Sequence, residues 1–113
     1  ALTVDALRRC LPHLARLEEL HLRGLHQLTT RGVRHPRVRV LNLSWCKNMQ
    51  DGALEDLARH CPALLELDVA WASKLTTTAL HELCVRTKSL RLLTVRGCLV
   101  NLPSHVANTT VVS

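Results

Sequence analysis

Apolar and polar residues recur along this chain in a fixed order, which is most complete between Val38 and Cys61. Val38, Leu41 and Leu43 give the spacing L-x-x-L-x-L, which predicts a short strand with one buried face. A polar turn follows, and then a short pattern of helical period. The apolar positions of that helical part are Leu54, Leu57, Ala58 and Cys61.

This order of strand, turn and helix recurs through the chain, with 26 residues from Val38 to Leu64, 26 from Leu64 to Leu90, and 21 from Leu17 to Val38. The strand positions are Leu17, Leu20 and Leu22; Val38, Leu41 and Leu43; Leu64, Leu67 and Val69; and Leu90, Leu93 and Val95. The turn position falls at Leu2, Leu28, Met49 and Leu75. A period of about 20–29 residues with this core is the signature of leucine-rich repeats. We therefore expect an α/β fold, a right-handed leucine-rich-repeat solenoid of about four repeats, with parallel strands on the concave face and short helices on the convex face.

The repeats divide the chain into a solenoid over residues 1–98 and an irregular tail over residues 99–113. Residues 1–16 resemble the second half of a repeat, with Leu7, Cys10, Leu11 and Leu14 on one helical face. The solenoid is thus expected to need further repeats or neighbouring chains at its ends. Pro36 arrives early in the 21-residue repeat and predicts an irregular or 3₁₀-like turn instead of a helix. The tail could be an extended edge strand, a disordered segment or a segment foreign to the natural protein.

Composition narrows the class of protein. Trp45 and Trp71 are the only aromatic residues among 113, so aliphatic side chains must form the core. No apolar run reaches the roughly 18 residues that a membrane span requires, so we expect no membrane insertion, and the first residues lack the order of a signal peptide. Five cysteines, each at a repeat position, argue against a disulfide framework and favour a reducing intracellular compartment: cytoplasm, nucleus or an organelle matrix. Cys10 and Cys84 are expected at inward helix positions.

The cysteine positions carry a family resemblance. Cys46 follows the strand of the Val38 repeat, Cys61-Pro62 ends its helix, and Cys98 repeats the first position. With the turn sequence MQDGAL at residues 49–54, this resembles the cysteine-containing leucine-rich repeats that are typical of F-box/leucine-rich-repeat proteins. The resemblance covers about residues 2–98 and implies the substrate-recognition part of a ubiquitin ligase. Leu25 and Ala72 depart from it, and no F-box occurs in these residues.

The sequence offers little for catalysis. No G-x-S-x-G, P-loop, dinucleotide or H-E-x-x-H motif occurs, and no C-x-x-C or paired ligand spacing indicates zinc. His60 and Cys61 are adjacent, but Cys61 falls at a structural helix-end position. We expect neither an enzyme nor a cofactor or metal site.

The residues between the inward leucines should face outward on the strands, because side chains alternate. Trp45 and Trp71 occupy one repeat position, where Gly24 and Gly97 stand in the other repeats. Since parallel strands lie about 4.8 Å apart, the two indoles should stack at the rim of the strand surface, where paired aromatic residues are typical of interface hot spots. The alternative is that they only cover one another and the stems of Lys47 and Lys74. The predicted partner-binding residues are Trp45, Trp71, His21, Arg23, Asn42, Ser44, Glu66, Asp68, Thr94 and Arg96.

The net charge of +6 is uneven, and four arginines crowd nine residues of the shortened repeat. Arg31, Arg34, Arg37 and Arg39 could bind an anion or an acidic partner, or could form a solvated basic loop. No aromatic residue is interleaved for base stacking, so RNA is the less favoured partner.

These observations favour non-enzymatic protein recognition by an intracellular interaction module or scaffold, with the protein partner on the concave face. The specific hypothesis is a ubiquitin-ligase substrate receptor. The alternative is a structural subunit or assembly factor of a large complex, such as a ribonucleoprotein or a respiratory assembly.

Overall fold

A computed structural model describes residues 3–113, which form an α/β arrangement of three helices and a mostly parallel sheet of six strands. The strands are β1 Glu19–His21, β2 Val40–Asn42, β3 Glu66–Asp68, β4 Leu92–Thr94, β5 His105–Val106 and β6 Thr109–Val112. The helices are α1 Val4–Cys10, α2 Asp51–His60 and α3 Thr77–Arg86, and a 3₁₀ turn at Leu11–His13 follows α1. The sheet order is β1-β2-β3-β4-β6-β5. The turn residue expected at Leu2 lies outside the described residues.

The strand register predicted by the repeat alignment is confirmed. Leu20 lies beside Leu41, Leu41 beside Leu67, and Leu67 beside Leu93, all in parallel pairs. Each of these leucines is the middle position of its L-x-x-L-x-L triplet. Equivalent residues of successive repeats are therefore direct neighbours across the sheet.

The core is aliphatic and lies between the sheet and the two longer helices. Leu41, Leu67 and Leu93 are at most 1% exposed, whereas Leu20 on the edge strand is only half-buried. Leu54 and Leu57 of α2 belong to the same buried cluster, and α2 packs against α3. Burying apolar area at about 25 cal/mol per Å² makes this shared core the main source of stability.

Helix starts follow their local sequences. The hydroxyl of Thr3 accepts a hydrogen bond from the N–H of Ala6, and that of Thr76 accepts one from Ala79. These are N-cap bonds, which satisfy free N–H groups of the first turn. Asp51 at the start of α2 also accepts bonds from the N–H and hydroxyl of Thr76, which ties the starts of α2 and α3 together.

The shortened repeat has no helix between β1 and β2, as the early Pro36 predicts. Its backbone instead lies directly on α2, where two glycines permit close approach. A Cβ at Gly32 would stand 2.4 Å from the carbonyl oxygen of Ala53, and one at Gly52 would stand 2.7 Å from that of Thr30. Side chains at these two positions would push the segment off the helix.

The first helix corrects an expectation about Cys10. Leu7 and Leu11 are buried as predicted, but Cys10 is exposed and Leu14 is 45% exposed. Helix α1 is only seven residues long and the chain passes into a 3₁₀ turn at Leu11, so the helical face predicted through Leu14 is not continued. Cys84, the other cysteine expected to face inward, is buried.

The segment after Cys98, expected as an irregular tail with an extended edge strand among its alternatives, contains two strands. Strand β6 pairs in parallel with β4, and β5 folds back on β6 as a short antiparallel edge. Thr109 is fully buried and its hydroxyl donates to the carbonyl of Leu90 at 2.9 Å, while Val111 is also buried. Inward residues alternate with Thr110, so the segment has the period of a strand, which a search for helical period passes over. Within the described residues, no helix is both long and apolar enough to cross a bilayer.

Cysteine thiols join the Val38 repeat and the Leu90 repeat to the repeats that precede them. The Sγ of Cys46 donates to the carbonyl of Leu22 at 3.4 Å, that of Cys98 to Val69 at 3.2 Å, and that of Cys61 to Val33 at 3.2 Å. The bond from Cys61 to Val33 ties the end of α2 to the shortened repeat, whose backbone forms no helix. Burial raises the pKa of Cys61 to about 11, with a further contribution from nearby Asp56 and an opposing one from the backbone of His35.

We predict that the chain loses stability at alkaline pH through Cys61. Its pKa is higher in the folded chain than in the unfolded one, so the unfolded state releases this proton first and the free energy of unfolding falls between about pH 9 and about pH 11. A rise from about 9 to about 11 corresponds to roughly 2 to 3 kcal/mol, since each tenfold change is worth about 1.4 kcal/mol. Urea unfolding across this pH range should show that the free energy of unfolding falls less in Cys61→Ala than in the wild-type chain. Cys10→Ala, which removes an exposed thiol, is the control, and an equal flattening in that variant would contradict the assignment.

Candidate partner-binding surface

The sheet has an open side opposite the helices, formed by the alternate residues of its strands, which we call the strand face. Glu19 and His21 of β1 and Glu66 of β3 are exposed there. Val40, Leu92 and Thr94 are half-buried and line a shallow groove that crosses β2, β3 and β4. The predicted contact residues His21, Asn42, Glu66, Asp68 and Thr94 all border this groove.

Ser44 is the exception among the predicted contact residues, because it is only 6% exposed. It lies just beyond the end of β2, where its N–H donates to Asn42 and its carbonyl accepts from Gly24. Ser44 is therefore not part of the accessible surface.

Asn42 and Asp68 also stabilise the backbone through side-chain hydrogen bonds, which the sequence did not predict. The Oδ1 of Asn42 accepts from the N–H of Ser44, and the Oδ1 of Asp68 accepts from the N–H of Ala70, both at 2.9 Å. A side chain that bonds the backbone two residues ahead forms an Asx turn. Each of these turns ends its strand and leads directly into a tryptophan.

The two tryptophans stack as the repeat spacing predicts. The ring centroids of Trp45 and Trp71 are 5.0 Å apart and the planes differ by 17°. Trp71 is 43% exposed, and Trp45 is half-buried. An offset stack of this kind contributes about 0.5–1.5 kcal/mol beyond the area it buries.

Both tryptophans have left-handed backbone conformations, with φ of 62° at Trp45 and 64° at Trp71. Gly24 and Gly97, at the same repeat position, have φ of 75° and 74°. Every repeat thus requires a left-handed residue after its strand, and two repeats meet that requirement with a bulky side chain. This conformation costs a non-glycine residue about 1–2 kcal/mol, and such strain collects at functional sites.

The stack is closed on both sides by its own chain. A Cβ at Gly97 would lie 2.3 Å from Cδ2 and Cε3 of Trp71, so the glycine backbone covers the outer face of that indole. On the other side, the Arg23 guanidinium lies 5.9 Å and the Lys47 ammonium 5.6 Å from the centroid of Trp45. These are cation–π distances.

The arginine cluster of the shortened repeat is partly neutralised. Arg34 lies 3.4 Å from Asp56 and Arg39 lies 3.5 Å from Glu18. The sequence has no acidic residue between Glu19 and Asp51, so both acids lie outside the stretch that contains these arginines. The fold brings them close to Arg34 and Arg39. Arg31 and Arg37 are exposed, and over residues 3–113 neither forms an ion pair.

Four cysteines lie in the core or pack against it, and they have the properties of packing residues. Burial raises the pKa of Cys46, Cys84 and Cys98, which keeps these thiols protonated, whereas a nucleophile requires the thiolate. His60 is exposed while its neighbour Cys61 is buried and donates to a carbonyl. Across the described part of the chain, no three His, Cys, Asp or Glu side chains come together as metal ligands would.

A comparison with known protein families and with curated proteins finds no match to the chain.

We predict that Gly97→Ala destabilises the protein more than Gly24→Ala. Both changes place a Cβ at the same repeat position and nearly the same φ, but nothing lies within 4 Å of a Cβ at Gly24. Each should cost about 1 kcal/mol for the backbone, and Gly97→Ala should cost roughly 1–3 kcal/mol more because it displaces the indole. Chemical denaturation measures the difference, which should vanish in a Trp71→Ala background. Equal losses for the two variants would contradict the packing of Trp71 on Gly97.

We also predict that Asp68→Ala lowers the free energy of unfolding by about 1 kcal/mol, because it removes the side-chain acceptor that leads the chain into Trp71. Asp68→Asn keeps a carbonyl oxygen in place and should retain most of that stability. Thr94→Ala is the positional control, since Thr94 lies three residues before Gly97, as Asp68 lies three before Trp71, and makes no such bond among the described residues. A loss in Thr94→Ala as large as in Asp68→Ala would show that the acceptor is unimportant.

Proposed function

We propose that the chain is a leucine-rich-repeat solenoid that recognises a protein partner through its strand face and the tryptophans at the rim, without catalysing a reaction. The single observation that carries this proposal is the stacked Trp45–Trp71 pair in left-handed conformations. Glycine meets the same backbone requirement in the other repeats without strain. The indoles are therefore retained for what their side chains do.

The repeat interpretation is supported by periodic contacts as well as by sequence. Trp45 donates its N–H to the carbonyl of Ala70, and Trp71 donates to Arg96, so the ladder between repeats continues past the strand ends. The thiols of Cys46 and Cys98 bond carbonyls of the preceding repeat from equivalent positions. Solenoids present extended concave surfaces built from such stacked strands.

The specific form of the proposal follows from the resemblance to cysteine-containing leucine-rich repeats. In that form the chain is the substrate-recognition part of a ubiquitin ligase, and the strand face contacts the substrate. The groove with Glu66 and Asp68 supplies polar groups, and the exposed part of Trp71 supplies apolar area. Aromatic anchors beside polar groups are characteristic of interface hot spots.

We predict that the double variant Trp45→Gly/Trp71→Gly loses its protein partners while it stays folded. Glycine relieves the left-handed strain of about 1–2 kcal/mol per residue, which offsets the lost stacking, so the melting temperature should change little. Affinity purification with quantitative mass spectrometry should show partners that are enriched with the wild-type chain and depleted at least about tenfold with the variant.

The matched control for this experiment is Leu14→Ser/Val85→Ser. Both residues are 45% exposed and lie away from the strand face, in the segment after α1 and in α3. If this control loses the same partners, the chain captures proteins through exposed apolar surface in general, and the proposal fails. If the tryptophan variant keeps its partners, or if it unfolds, the proposal fails.

A further inference from the structure

Basic residues occupy the turns that follow the strands, whereas the carboxylates of the sheet lie on the strands themselves. The sequence has no acidic residue between Glu19 and Asp51, between Asp68 and Glu82, or after Glu82. The turns that follow β1 to β4 therefore carry basic residues and no carboxylate. We call the following six residues the tryptophan rim: Trp45, Trp71, Arg23, Lys47, Lys74 and Arg96.

Among the residues that the structure describes, the cations of the tryptophan rim have no ionic partners. Over residues 3–113, the ion pairs join His21 to Glu19, Arg34 to Asp56 and Arg39 to Glu18. Arg23 and Lys47 lie beside the ring of Trp45, and Arg96 directly precedes the glycine that covers Trp71. All four cations are exposed, and Lys74 and Arg96 lie in the turns that follow β3 and β4, close in sequence to Trp71 and Gly97.

The geometry of the stack excludes one kind of ligand. A nucleobase binds by stacking on a free aromatic face. Each indole covers one face of the other, Gly97 covers the second face of Trp71, and Arg23 and Lys47 lie over Trp45. The exposed part of Trp71 must then be its edge, and an aromatic edge carries partial positive charge and the indole N–H donor. Such an edge suits a carboxylate or an apolar side chain.

We propose that the tryptophan rim binds an acidic segment of a partner protein. Carboxylates of that segment contact Arg23, Lys47, Lys74 and Arg96, and an apolar side chain packs on the indole edges. The inference rests on the proposed function and adds the chemistry of the partner. Four neighbouring strands at about 4.8 Å spacing span roughly 14 Å, and an extended peptide rises about 3.3 Å per residue, so a segment of about five residues matches the rim.

The strand face fixes where this segment lies. Glu66 is exposed in the groove beside Asp68, so a chain of carboxylates is repelled from the middle of the sheet. The acidic segment therefore lies along the turns, and the groove contacts a different part of the partner. Glu66→Gln should leave binding of an acidic peptide unchanged or tighten it.

The test uses intrinsic fluorescence, because the two tryptophans are the only aromatic residues and both belong to the rim. The probe is a synthetic Glu-Glu-Leu-Glu-Glu peptide with uncharged flanks, compared with its Gln-Gln-Leu-Gln-Gln analogue and with an oligothymidylate. We expect the acidic peptide to change the tryptophan emission and to bind at least about tenfold more tightly than the Gln analogue, with an affinity that falls as salt is added.

The matched variants are Arg23→Gln/Arg96→Gln and Arg31→Gln/Arg37→Gln, which remove the same charge from the rim and from the shortened repeat. The rim variant should weaken peptide binding by about tenfold or more, and the other by less than about threefold. Equal weakening by both variants, no preference for the acidic peptide, or tighter binding of the oligothymidylate would overturn the proposal. If partner capture still depends on the tryptophans while the acidic peptide fails to bind, the proposed function stands and only the acidic chemistry is wrong.

Discussion

The structure depends on the stacking of aliphatic side chains between successive parallel strands. The ladder of Leu41, Leu67 and Leu93 has almost no exposed surface, and the apolar residues that flank the strands, such as Leu43 and Leu64, are buried with it. Since each of the strands β1 to β4 has only three residues, the hydrogen bonds of one pair could slip in register without this ladder. A shift of one residue would turn every leucine toward solvent, and this fixes the alignment of the repeats.

That fixed register places equivalent residues one above another beyond the strands as well. The left-handed position after each strand recurs in every repeat, because the chain must turn away from the sheet at the same point. Glycine is the residue that meets this requirement at least cost. Where tryptophan stands instead, the Asx turns of Asn42 and Asp68 hold the preceding backbone, and the other repeats have no such turn in the described residues. The strained residues and their supports occur together.

Much of this fold could be predicted from one sequence because apolar spacing determines it. The strand positions, their register, the absence of a helix in the shortened repeat and the stacking of the indoles all follow from counting residues. The sequence did not separate strands from disorder after Cys98, because Thr109 is a buried polar residue whose inward position depends on its bond to Leu90. Cys10 and Ser44 were misplaced because exposure depends on what covers a residue, which a repeat alignment does not include. The ion pairs of Arg34 and Arg39 depend on acids 22 and 21 residues away along the chain, which only the fold brings close.

The left-handed tryptophans could have been suspected from the sequence, since glycine occupies the same position in two of the four repeats. A position that holds glycine in some repeats and a bulky residue in others is informative. The glycines indicate that the backbone there must be left-handed, and the bulky residues indicate that another requirement competes with this one. Glycine at all four positions would remove the backbone strain, but it would also remove the stacking of the two indoles. Local sequence rules are broken at functional sites when another part of the structure compensates. Here the compensation is visible in the Asx turns and in the covering of Trp71 by Gly97, and this supports the proposal that the rim is an interaction surface.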